Sequence, residues 1–195
     1  LHGSNGRPLE SEAALLAAEG YAAYALEYLG QGDLPDFPRG VSLAYVEDAV
    51  DWFLDRDAVA GERYGVHGIS MGAQLALLLV SEDDRVGAAV VDSGSPWVFS
   101  GGPAPAWRRD GEHLDCIPIR EEPPDTWDDE VNGAVDRHRM WPQLLEAASA
   151  EERRDAAIPV EDGDAAILLQ AGDDDLEWIH NDAHAALRAV DEPLS

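Results

Sequence analysis

Gly68-Ile69-Ser70-Met71-Gly72 constrains the backbone more tightly than any other stretch of this chain. A serine with a glycine two positions to either side leaves a short apolar strand at 63–69 and enters an apolar helix at 72–80. That spacing predicts a nucleophile elbow, a sharp turn that projects the Ser70 hydroxyl out of the backbone. The glycines are expected because the turn is strained and because strand and helix approach too closely for a Cβ. A bare G-x-S-x-G match is a weak signal; strand before and helix after make Ser70 a candidate nucleophile.

The elements around it alternate. A helix is expected at 11–19 and a strand at 21–29, followed by a Gly/Pro-rich loop at 30–40. Leu43, Val46, Ala49, Val50, Phe53 and Leu54 then recur at helical spacing. After the elbow come strands at 86–91 and 165–170 and a helix at 178–190. The order predicts an α/β fold, a parallel sheet with helices on both faces, its active residues at the carboxyl ends of the strands. The stretch 96–157 breaks the alternation with seven prolines and with Trp97, Trp107, Trp127 and Trp141. It reads as a cap-like insertion that keeps water from the serine, or as an excursion over the sheet edge.

Three strand ends carry chemistry. Leu1-His2-Gly3-Ser4-Asn5-Gly6 resembles the loop that gives one backbone N–H, that of Ser4, to the oxyanion hole of an α/β-hydrolase, and the elbow offers the N–H of Met71. Two such donors suffice to hold a tetrahedral oxyanion. Ala171-Gly172-Asp173-Asp174-Asp175 follows the strand at 165–170, where a triad acid belongs after the serine in chain order; Asp175, third after the glycine, is chosen over Asp174. His180 and His184 lie too soon after Asp175 and read as a polar helix stripe, and His67 as a core or rim residue of the elbow strand. His113 and His138 fall in the irregular stretch and have no assigned place.

These motifs together resemble the C-terminal domain of the acyl-CoA thioesterase and bile acid-CoA:amino acid N-acyltransferase family, an α/β-hydrolase, with dienelactone hydrolases a near second. The resemblance rests on Leu1-His2-Gly3-Ser4, Ala25-Leu26-Glu27-Tyr28-Leu29-Gly30, Asp33-Leu34-Pro35, the elbow, Ser93-Gly94-Ser95, Ile158-Pro159-Val160-Glu161, and Asp175 with Trp178. It implies a serine hydrolase of acyl thioesters or esters that forms an acyl-enzyme on Ser70, needs no metal or prosthetic group, and takes a small-molecule substrate such as an acyl-CoA. Arg108, Arg109, Arg137 and Arg139 are then candidates to pair with CoA phosphates, against the alternative of local acidic partners. Serine rather than cysteine at position 70 favours hydrolysis over transfer to an amino acid. The family's histidine lies beyond a further strand, so the expectation is a partial domain over 1–195, truncated at both ends, with its base supplied past Ser195. A non-catalytic remnant is the alternative from another class.

Charge excludes other functions. Against 40 acidic side chains stand 13 basic ones, giving −27, and lysine is absent. Nucleic acid and anionic membranes would be repelled, and the acidity, spread along the chain, suggests a surface adapted to high salt. No apolar run reaches membrane-span length, no charged-then-apolar leader opens the sequence, and a lone Cys116 excludes an internal disulfide. A soluble, cytoplasmic protein is expected; the sequence does not address its oligomeric state.

Overall fold

The structure, a computed structural model, describes residues 1–101, 104–119, 141 and 144–172. Its elements are α1 (Glu10–Ala18), β1 (Val41–Ser42), α2 (Leu43–Leu54), β2 (Tyr64–Ile69), α3 (Met71–Glu82), β3 (Val86–Asp92), β4 (Trp107–Arg109), β5 (Glu112–His113), α4 (Ala150–Asp155), a 3-10 turn (Val160–Asp162) and β6 (Ala166–Gln170). They form a mixed α/β fold with two three-stranded sheets, ordered β2-β3-β6 and β1-β4-β5.

The first sheet is wholly parallel, as the alternation predicts. Ile69, Asp92 and Gln170 stand level across it, so the three strands end along one edge. Residues 71–80 of α3 are all buried, because a helix apolar on every side needs cover on every side. The sheet lies beneath it, and the 3-10 turn runs so close that a Cβ on Gly163 would stand 2.1 Å from the Val80 carbonyl oxygen. Leu75, Leu77, Leu78 and Leu79 each contribute roughly 1.5–3 kcal/mol by leaving water. Residues of α1 and β2 line one groove beside His67, while Leu168 on β6 is 54% exposed.

Two features depart from the sequence expectation. Along 21–29 no ladder forms, although Leu26 and Tyr28 are buried on either side of half-buried Glu27. A strand needs a hydrogen-bonded neighbour as well as suitable residues, and none pairs with this segment among the described residues. The second sheet takes two of its three strands from the stretch expected to be irregular: Val41 and Ser42 pair in parallel with Trp107 and Arg108, and β5 closes an antiparallel hairpin onto β4. The expected helix at 178–190 lies outside the described residues.

Candidate active site

Ser70 ends β2 and caps α3 at φ 57°, ψ −118°, a left-handed conformation that side-chain-bearing residues rarely adopt. The strain is held by the backbone around it. The Ser70 N–H donates to Asp92 O at 2.9 Å, and Ser70 O accepts from Ala73 N at 2.9 Å, starting the helix. A Cβ at Gly68 would stand 2.0 Å from Gly72 O, and one at Gly72 would stand 2.4 Å from Leu1 O and 2.5 Å from His2 O. Both glycines are therefore required by contact, as the motif predicts. Met71 opens α3, so its N–H has no carbonyl of that helix to donate to.

The loop at residues 1–6 reaches this turn from the side. Leu1 pairs with β2 in the parallel manner, its nitrogen donating to His67 O and its carbonyl accepting from Ile69 N. Gly3 then lies against Ser70: a Cβ there would be 3.3 Å from the Ser70 Cβ and 3.7 Å from its Oγ. The loop that carries Gly3 and the turn that opens α3 thus both border Ser70. His2, fully buried, carries no signal in the sequence beyond its place in a glycine turn. Its ring stacks on Tyr28 with centroids 4.0 Å apart, and Tyr28 donates its hydroxyl to His2 O.

Of the remaining expected site residues, Asp175 and Asp174, together with His138, His180, His184, Arg137 and Arg139, lie outside the described residues. The strand that leads to Asp175 is placed: β6 pairs with β3, and Gln170 O accepts from Ser93 N at 2.9 Å. His67 is half-buried on β2, and burial holds its pKa below the usual histidine value, with Asp92 and Glu12 opposing. His113 sits exposed on β5, its ring against Gly40. Arg109 is held by Glu47 at 3.1 Å and by Glu82, the local acidic partners that so acidic a chain offers. Gln74, hidden in the sequence inside an apolar helix, has a buried Oε1 that accepts from Phe99 N at 3.3 Å and Trp107 Nε1 at 3.4 Å, tying the stretch after β3 to the elbow helix. An apolar groove between α1, residues 22–26 and β2 is lined by Leu9, Leu16, Leu26, Phe53 and Tyr64, away from Ser70.

Among the described residues no group of three or more His, Cys, Asp or Glu is arranged to hold a metal, and no helix is long and apolar enough to cross a membrane. Residues 41–189 match the family described as BAAT / Acyl-CoA thioester hydrolase C terminal. Acyl-coenzyme A thioesterase 1 of Homo sapiens is 32% identical over 178 residues, which cover 91% of this chain and 40% of the relative. Acyl-coenzyme A thioesterase 5 of Mus musculus is 33% identical over 184 residues with the same two coverages, and the mitochondrial acyl-coenzyme A thioesterase 2 of Homo sapiens is 31% identical over 91% of this chain and 35% of its own length. The chain thus spans well under half of these relatives. With the elbow and its neighbouring loop in the arrangement described, the match over 41–189 establishes that the chain belongs to the BAAT / acyl-CoA thioester hydrolase C-terminal family.

Proposed function

We propose that the domain hydrolyses acyl thioesters, acyl-CoA among them, through an acyl-enzyme on Ser70. The observation that carries this is the left-handed Ser70 with Gly3 packed against its Oγ, a nucleophile set beside a loop that can supply an oxyanion donor. Ser70 Oγ attacks the thioester carbonyl; the N–H groups of Met71 and Ser4 receive the oxyanion; the thiol leaves; and water releases the acid. Asp175 orients the histidine that acts as base. His2 does not fill that role, because both its ring nitrogens are engaged, with Gly3 O and with Tyr28 N. His67 lies on the strand that leads to the elbow and His113 on the outer hairpin. In the hydrolase order the histidine follows the acid, so we place the base after Asp175 and past Ser195. Kinship with acyl-coenzyme A thioesterases supports the substrate class.

A fluorophosphonate probe followed by intact mass measurement tests the reading, since only an activated serine is labelled. Labelling of the full-length protein that disappears in Ser70→Ala is expected, with thioester hydrolysis lost in parallel. An unlabelled wild type would leave a non-catalytic fold, and an amide product in the presence of glycine or taurine would make the protein an acyltransferase.

A further inference from the structure

The buried His2–Tyr28 pair stands in contact with the loop that flanks the nucleophile, and its chemistry fixes more than packing. Gly3 O, 2.7 Å from His2 Nδ1, can only accept, so Nδ1 carries the proton. Tyr28 N–H, 3.4 Å from Nε2, can only donate, so Nε2 is bare. The hydrogen-bond network therefore assigns one neutral tautomer. Burial favours the same state by holding the His2 pKa below the usual histidine value, the bond to Gly3 acting against it.

The consequence lies in the peptide plane. Gly3 C=O and Ser4 N–H belong to one trans peptide group, whose oxygen and hydrogen point in opposite directions. A donor fixed on Gly3 O sets the direction of Ser4 N–H. Gly3 O receives two donors, His2 Nδ1–H and Gly6 N–H at 3.3 Å. The preceding plane is treated alike, because the Tyr28 hydroxyl donates to His2 O. Gly72, lacking a Cβ, lets His2 O approach the first turn of α3. Both peptide planes that border Ser70 are thus fixed from behind by one aromatic pair.

We infer that His2, seated on Tyr28, is a positioning residue that aims the Ser4 N–H at the oxyanion formed on Ser70. This rests on the hydrolase reading and adds to it the device that preorganises the loop half of the oxyanion hole. Preorganised donors act on the transition state and leave ground-state binding nearly unchanged. His2→Phe keeps the ring and its stack on Tyr28 and removes both nitrogens. Tyr28→Phe keeps the stack and removes only the hydroxyl on His2 O.

The test uses the full-length protein, an acyl thioester substrate and two probes: a trifluoromethyl ketone, which adds Ser70 to give a tetrahedral oxyanion, and a thioether analogue, which forms none. For His2→Phe, kcat is expected to fall by about 10- to 100-fold with KM held within about twofold. Ketone affinity falls by the same factor, and thioether affinity is unchanged. A folded His2→Phe with wild-type kcat and ketone affinity overturns the inference. So does a uniform loss across KM, ketone and thioether, which marks general loosening. Should His2→Phe not fold, Tyr28→Phe decides: a several-fold loss confined to kcat and ketone affinity supports the inference, and wild-type values on both sink it. Absence of Ser70-dependent turnover in the wild type is a separate result that removes the hydrolase reading itself, and this inference with it.

Discussion

Around Ser70 the backbone does the positioning, whereas around Trp107 the side chains do. At the elbow, carbonyl oxygens of Leu1, His2 and Gly72 sit where any Cβ on Gly72 or Gly68 would be. In the second sheet, β1 and β5 are two residues long, and a Cβ added to Gly111 in the hairpin turn would meet nothing within 4 Å. That sheet is anchored to the elbow helix through buried Trp107, the Gln74 amide and the Arg109 guanidinium between Glu47 and Glu82. The elbow should therefore reject added atoms and ignore salt. The second sheet should tolerate added atoms and respond when a polar link is cut.

The largest effects belong to the chemistry at the elbow. Ser70→Ala is expected to abolish probe labelling and hydrolysis while leaving the thermal midpoint within a few degrees, since Ser70 is half-buried and its N–H bond to Asp92 O is kept. Asp175→Asn should lower kcat by about 10⁴-fold by misorienting the imidazole, and Asp174→Asn should be mild. If the two carboxamide variants exchange places the triad acid is Asp174, and if neither matters there is no triad on this loop.

Next in size is a paired glycine substitution. Gly68→Ala drives a methyl group into the rigid Gly72 carbonyl and should cost about 3 kcal/mol or more, roughly 10 °C in midpoint. Gly111→Ala meets open space, and its φ of 86° should cost only about 1 kcal/mol. Equal losses at the two sites would remove the contrast between the regions.

That contrast also explains what could be read from residues alone. The elbow was legible because its constraints are local: Gly68, Ser70 and Gly72 lie within one turn, and the apolar run of α3 follows at once. The parallel strands β2, β3 and β6 were legible as apolar runs between breakers. β1 and β4 were not, because two- and three-residue strands leave no periodicity, and Val41 pairs with Trp107, 66 residues further along the chain. His2 reads as part of a glycine turn because its partner Tyr28 lies 26 residues away. The segment 21–29 shows the converse error, strand-forming residues without a ladder.

Cutting the link between the two regions should have an intermediate effect. Gln74→Leu leaves Phe99 N–H and Trp107 Nε1–H, both buried, without their acceptor and should cost about 1–3 kcal/mol. Gln74→Glu keeps an acceptor oxygen and should cost less when protonated, so its deficit should grow as pH rises through the carboxyl range. A Gln74→Leu midpoint equal to wild type would mean that Trp107 packing alone holds the second sheet.

The smallest effect separates two electrostatic forces of opposite sign. At −27 the chain repels itself, and molar salt should raise the midpoint by screening that repulsion. The Arg109 bridge is screened as well, but its side chain is 38% exposed and such a pair contributes at most about 1 kcal/mol. Repulsion summed over 40 carboxylates should outweigh it, so the wild-type midpoint rises. Arg109→Gln loses the bridge and adds one more uncompensated negative charge, both of which matter most in dilute buffer. Its deficit against wild type should therefore be largest at low ionic strength and shrink as salt is added, whereas the Gly68→Ala deficit, a matter of contact, should stay constant. Thermal melts of the three proteins from dilute buffer to molar salt read this directly. A wild-type midpoint that does not move would show that the acidic surface carries no net penalty, and a Gly68→Ala deficit that shrinks with salt would show that the elbow is not held by contact alone.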